Sequence, residues 1–404
     1  MVRASSPLLR GLMRVSKAQQ RTASKLVDSL FGAPLKPRAK TGAKPRAAVK
    51  PMAKVSAKPQ PASARPVAAA SAAAVSPAKA PARRAAPRAA LAPLPGKWLA
   101  AHYSKPLLDL GLPGHGLNYW LYLPDKAPSE AVRRGGWPLL VMLHGCEQSA
   151  TQFAQGTRMN RLAEQKGFAV LYPQQSIGSH SHRCWKWYDK ATQAGGGDVE
   201  LIVGMIGKVA AAYPIDRSRI YIGGISAGAG MANIVALNHP HLIAAVGLHS
   251  APVFGAGHSA IGALGVMQRG ASHRADGAIA EVLAASPAFP RMPTILIQGE
   301  GDRVVRPINQ THLMRQSLLL NRMPIETAIS VELKPGAREG SRNPANPHQI
   351  RDFHVNKKLL LRVAQIAHLE HAWSGGDAAL SFNAKAGPDA SKMMVDFFLR
   401  HRRT

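Results

Sequence analysis

Cysteine is almost missing from this chain: the 404 residues hold two, Cys146 and Cys184. That is too few for a disulfide-dense scaffold or a four-cysteine zinc site. Acidic residues are scarce as well, 22 Asp and Glu against 52 Lys and Arg, which leaves a net charge of +30. No run of about 20 apolar residues occurs, so no transmembrane helix is expected, and the N-terminus lacks the apolar core of about 7–15 residues that marks a secretory signal. No HExxH or similar metal-ligand spacing appears. Gly195-Gly196-Gly197 is not followed by the Lys and Ser or Thr of a phosphate loop, and Gly255-Ala256-Gly257 lacks an acidic ribose partner at the right distance. Neither metal nor cofactor is therefore expected.

The charge is concentrated at one end. Residues 1–97 carry 20 Lys and Arg and one acid, a balance of +19, which leaves +11 for the remainder. Within 1–32, Leu8, Leu9, Leu12 and Met13, and later Leu26, Leu30 and Phe31, fall at helical spacing among Arg10, Arg14, Lys17, Arg21 and Lys25. This is a basic amphipathic pattern, suited to docking on an anionic or apolar surface such as a membrane leaflet; a solvated weak helix is the plainer alternative. Residues 33–97 are Ala, Pro, Lys and Arg in low-complexity mixture and bury too little apolar surface to offset chain entropy, so they read as a disordered linker. A tail of this charge attracts polyanions in a salt-dependent way, but nothing in it specifies a nucleic acid.

From Trp98 to Thr404 apolar runs of strand length alternate with helical patterns, which predicts an α/β domain, a mostly parallel sheet with helices on both faces. Trp137–Leu143 (WPLLVML) is a continuous apolar run of the kind a central buried strand needs. A helix is expected from Ser149 to about Lys166, with Gln152 completing a capping box. Further strands are expected at Leu117–Leu123, Phe168–Tyr172, Leu242–Leu248, Pro293–Gln298, Ile329–Leu333 and Lys358–Ala367. Helices are expected over Asp198–Tyr213, Pro307–Asn321 and Ser391–Arg400, with helical pieces between Pro252 and Pro290.

The chain is organised around Arg219–Leu237, RIYIGGISAGAGMANIVAL, a β-rich run, a tight turn and a helix. The turn is Gly224-Ile225-Ser226-Ala227-Gly228, a G-x-S-x-G at a strand-to-helix junction. Glycines two positions either side of the serine let strand and helix approach, and Ser226 would project above the sheet with the first helical N–H groups beside it. Alone the motif is weak evidence. Ligands and reactive groups gather at the carboxyl ends of parallel strands, and four sites follow predicted strands: His144-Gly145-Cys146, Ser226, Asp302 and Leu369-Glu370-His371. The order Ser226, Asp302, His371 is that of a nucleophile, its orienting acid and its base. The N–H groups of Cys146 and Ala227 are the expected oxyanion donors. Asp352 and Asp377 compete with Asp302, and His144, His249, His354 and His368 with His371.

Together LHGCEQSATQF (143–153), FAVLYPQQ (168–175), CWKWYD (184–189), YIGGISAGAGMA (221–232), QGEGDRVVRPIN (298–309) and HAWSGG (371–376) resemble the polyhydroxybutyrate depolymerase family of esterases, over roughly residues 110–400. The resemblance implies an α/β-hydrolase fold, carboxylic-ester hydrolysis and Ser226, Asp302 and His371 as catalytic triad. It also implies a disulfide between Cys146 and Cys184 beside the oxyanion loop, with two buried thiols as the alternative. Trp187 and Trp373 are candidates for a substrate-facing wall, with core packing as the alternative.

The expected substrate is a hydroxyalkanoate polyester, its oligomers or another short acyl ester. A feruloyl or acetyl-sugar esterase is the nearest rival, and a polyanion- or granule-binding protein the rival from another class. The resemblance and the disulfide favour an extracellular location, whereas the absent signal core favours the cytoplasm, on granules.

Overall fold

The computed structural model describes residues 94–106, 113–125, 130–271, 274–324 and 329–403. The amphipathic segment at 1–32 and nearly all of the linker at 33–97 lie outside the described residues.

A hairpin opens the fold. β1 (Lys97–Pro106) pairs antiparallel with β2 (Pro113–Leu123), and β2 continues antiparallel onto the central sheet. After α1 (Glu130–Gly135), the apolar run WPLLVML forms β3 (Trp137–Leu143). Alternate residues of β3 serve two cores. Leu139, Val141 and Leu143 pack on one face of the sheet with Ile202, Met205 and Ile234, whereas Leu140 and Met142 pack on the other with Phe153, Met394 and Phe398. Burial on both faces is why the sequence shows no polar alternation there.

The helix expected from Ser149 to Lys166 is two helices, α2 (Ala150–Thr157) and α3 (Met159–Lys166), because Arg158 between them is left-handed at φ 56°. Ser149 does form the capping box with Gln152. Next come β4 (Ala169–Pro173), the short α4 (Lys190–Gln193) and α5 (Asp198–Ala212). Strand β5 (Ile215–Ile225) turns through Ser226 into α6 (Ala227–Asn238), and β6 (Ala245–His249) follows. The Gly- and Ala-rich excursion contains α7 (Ala260–Arg269) and α8 (Arg274–Ala285), then come β7 (Thr294–Gly299) and α9 (Ile308–Leu320). Strands β8 (Ile329–Lys334), β9 (His348–Val355) and β10 (Lys358–Ile366) form the far side; two residue pairs, β11 (Trp373–Ser374) and β12 (Asn383–Ala384), make a small separate ladder, and α10 (Ala390–Phe398) is the last helix.

The large sheet has the order β1-β2-β4-β3-β5-β6-β7-β10-β9-β8. From β4 to β10 the six central strands run parallel, flanked on each side by antiparallel strands. The register aligns the carboxyl ends: Ile225 lies opposite His249, His249 opposite Ile297, and Gly299 opposite Ile366. Residues just beyond β5, β6, β7 and β10 therefore share one rim.

Candidate active site

Ser226 occupies the turn out of β5 at φ 57° and ψ −126°, a backbone region that L-residues rarely adopt and that costs about 1–3 kcal/mol. Close packing imposes it. A Cβ at Gly224 would collide with the Leu143 carbonyl oxygen and with Gly228, and one at Gly228 would collide with the carbonyl oxygens of Leu143 and His144. The elbow thus lies directly against the end of β3. The Ser226 N–H donates to His249 O at 3.0 Å, which ties the serine's backbone to the next strand.

Asp302 follows β7 and is buried. Its Oδ1 accepts the N–H groups of Val304 and Val305, each at 2.9 Å, and its Oδ2 accepts Gln298 Nε2 at 3.1 Å and His371 Nδ1 at 2.8 Å. Four donors hold this carboxylate in one orientation, and that orientation places the proton of a neutral His371 on Nδ1, leaving Nε2 free as a base. The competing acids are engaged elsewhere: Asp352 forms a two-pronged pair with Arg362 on β9 and β10, and Asp377 accepts the Ala379 N–H. No hydrogen bond joins Ser226 to His371 among the described residues, a contact that is often long in unliganded hydrolases.

Two competing histidines are buried, and burial makes both poor bases. His144 is pushed down to about 4 and His249 to about 3, burial being the largest cause in each case. His249 lies beneath the candidate triad. It stacks on Trp373 at 5.0 Å, and its Nε2 accepts the Ser374 N–H at 3.4 Å, bracing the loop that carries His371.

The oxyanion candidates are distinguished by what their neighbours do. After β3, Gly145 N–H donates to Gln148 Oε1, Glu147 N–H to His182 O, and Gln148 N–H to Gly145 O. Among the described residues the Cys146 and Ala227 N–H groups have no protein acceptor. Both residues line a narrow cavity of about 20 Å³ together with Ser226, Trp187, His180, Tyr188, Met267 and Val304. A disulfide joins Cys146 to Cys184 with the Cα atoms 4.3 Å apart, as the resemblance implied.

Trp187 lines the cavity; Trp373 does not. Trp373 is buried edge-on to Phe153 at 5.4 Å, with its Nε1 donating to Ser391 Oγ, so the wall expected from it is replaced by core packing. Sequence reasoning missed Met267 and Ala263, which α7 brings over the serine, because a Gly- and Ala-rich excursion carries no signal for where it folds back. Among the described residues no group of His, Cys, Asp or Glu could hold a metal ion, and no helix is long and apolar enough to cross a membrane.

A family model described as Esterase PHB depolymerase matches residues 117–334, more than half of the chain. The chain belongs to this family of esterases. The PHB depolymerase-family sequence is 30% identical over 211 residues to poly(3-hydroxyalkanoate) depolymerase C of Paucimonas lemoignei, covering 50% of this chain and 48% of that one. It is 34% identical over 136 residues to feruloyl esterase B of Neurospora crassa, covering 33% and 44%. The chain thus spans about half the length of these curated relatives. Among solved structures, an acetyl xylan esterase from Aspergillus awamori matches with a TM-score of 0.54 at 19% identity, covering 70% of this chain and 94% of that one. That likeness concerns the fold, and the family member has the α/β-hydrolase architecture.

Proposed function

We propose that the protein is a serine esterase that hydrolyses hydroxyalkanoate esters, polymeric or oligomeric, through an acyl-enzyme. The observation that supports this most directly is the His371–Asp302 hydrogen bond on the same sheet rim as the strained Ser226. In the proposed reaction His371 Nε2 takes the Ser226 hydroxyl proton as Oγ attacks the ester carbonyl. The carbonyl oxygen becomes an anion facing the Cys146 and Ala227 N–H groups, at the positive end of α6. Collapse of this adduct breaks the bond to the leaving alcohol, which takes the proton from His371. Water then repeats the sequence on the acyl-serine, releasing the acid and restoring Ser226. Asp302 keeps the imidazole in register and stabilises the imidazolium, and Trp187 forms the acyl-facing wall. The relative named as a poly(3-hydroxyalkanoate) depolymerase supports the choice of substrate.

The relatives named as acetylxylan esterase A and probable acetylxylan esterase A support a second reading, an acetyl-sugar esterase. A panel of hydroxybutyrate oligomers, polyester film, acetylated xylo-oligosaccharides and feruloyl sugars separates these readings. Ser226→Ala should lower turnover of the preferred substrate by about 10⁴-fold or more; retention of activity would remove the mechanism. Residues 1–97, with a balance of +19, are proposed to dock on an anionic or granule surface. Co-sedimentation with granules should fall when they are deleted and when salt is raised.

A further inference from the structure

The loop after β3 must keep one peptide unit facing the reacting carbonyl, and the residue best placed to enforce this is His144. Gly145 has no side chain to restrict its backbone, and Glu147 two positions on is left-handed at φ 63°, so the loop is open to alternative peptide orientations. In a trans peptide the C=O and the following N–H point in opposite directions. Whatever holds the Gly145 carbonyl therefore aims the Cys146 N–H.

Two donors hold that carbonyl. His144 Nδ1 is 2.7 Å from Gly145 O, and the Gln148 N–H reaches the same oxygen at 3.4 Å. The ring's tautomer is fixed from the opposite side: Nε2 accepts the Gln175 N–H at 3.1 Å and approaches Gln174 Nε2 at 3.3 Å, so the proton must lie on Nδ1. Gln175 is itself anchored. Its Nε2 donates to Asp198 Oδ2 at 2.5 Å and its Oε1 accepts the Ser176 N–H at 2.7 Å. The Trp185 Nε1–H donates to His144 O at 3.0 Å. A chain of bonds thus runs from α5 through the loop after β4 to the oxyanion loop, all of it outside the Ser226, Asp302, His371 set.

We propose that His144 is a positioning residue of the oxyanion hole: held as its Nδ1–H tautomer by the loop after β4, it pins the Gly145 carbonyl so that the Cys146 N–H faces the developing oxyanion. This rests on the serine-esterase reading. An interaction that matters only once charge has formed on the oxygen belongs to the transition state, so its loss lowers kcat and leaves KM nearly unchanged.

The test uses the full chain, with p-nitrophenyl acetate as substrate and an aryl trifluoromethyl ketone as inhibitor, which forms an oxyanion-bearing adduct with the serine. His144→Leu should lower the acylation rate by about 10- to 100-fold, hold KM within about three-fold and weaken the ketone in parallel with kcat. His144→Gln, which keeps one donor and one acceptor, should recover part of the loss while remaining measurably slower than wild type. Unchanged acylation and ketone affinity in a folded His144→Leu would overturn the proposal, as would a loss confined to melting temperature. If the leucine variant does not fold, wild-type rate and ketone affinity in His144→Gln overturn it in the same way. Ser226→Ala measured alongside separates the two ideas: if it stays active the esterase reading fails, whereas an inactive Ser226→Ala beside an unaffected His144→Leu sinks only this inference.

Discussion

A single carboxylate decides whether the imidazole on this rim can act as a base. Asp302 Oδ2 accepts from His371 Nδ1 while its other contacts lock it in place. Asp302→Asn keeps the shape but offers an NH₂ where an acceptor is required, which drives His371 towards the tautomer whose Nε2 carries the proton. The expected outcome is a fall in kcat of about 10⁴-fold at neutral pH with KM little changed, read from steady-state ester hydrolysis. Asp352→Asn is the contrast. Its carboxylate binds Arg362 across β9 and β10, so its loss should lower the melting temperature and spare kcat. The reverse result would reassign the orienting acid.

At the scale of elements, the loop after β3 and the loop after β4 are joined by the Cys146–Cys184 disulfide and by hydrogen bonds from Glu147 N–H to His182 O at 2.6 Å, from Trp185 Nε1–H to His144 O and from Gln175 N–H to His144 Nε2. The disulfide closes a separation of 38 residues, a constraint on the unfolded chain of about 4 kcal/mol in the loop-entropy account. Cys184→Ser, or reduction under native conditions, should lower the melting temperature by roughly 10 °C. It should reduce kcat by only about ten-fold, since the hydrogen bonds between the loops remain. Calorimetry and kinetics with and without reductant check this, and identical curves would show the bridge to be idle. These contacts also mark where sequence reading stops. β3 and the elbow were legible because a continuous apolar run and paired glycines are local signals. Strand β9 was not, since HQIRDFHV buries only Ile350 and Phe353 fully and reads as polar without its neighbours. The break falls on Arg158, a non-glycine residue in the left-handed region, two positions after a Gly156 that itself stays helical. Ser226, Asp302 and His371 stood out among the residues that follow predicted strands, with the resemblance choosing them over their rivals, but His144 could be seen only as a rival base, because its work depends on Gln175, a donor distant in sequence.

The whole molecule carries several histidines that folding keeps neutral, and this sets its response to acid. His144 and His401 are pushed down to about 4 and His249 to about 3, mainly by burial. Neither ring nitrogen of His401 has a hydrogen-bond partner among the described residues. For a histidine whose folded value is depressed, the unfolded chain binds the proton first. The stability these groups confer is complete above the unfolded value of about 6.5 and is lost as pH falls from there towards the folded values. Between about pH 6.5 and 5 ordinary carboxylates still keep most of their charge, so the loss in that upper part of the window belongs to the histidines; closer to pH 4 the carboxylates titrate as well. Melting temperature should therefore begin to drop below about pH 6.5, well before general carboxylate protonation. His401→Gln removes one of these titrations outside the candidate site and should flatten the slope between about pH 6.5 and 5 without altering kcat at neutral pH. A melting temperature constant down to pH 5 in the unaltered protein would mean that these imidazoles accept protons inside the fold at little cost, and the assignment of His144 and His249 as neutral struts beside the candidate site would fall with it.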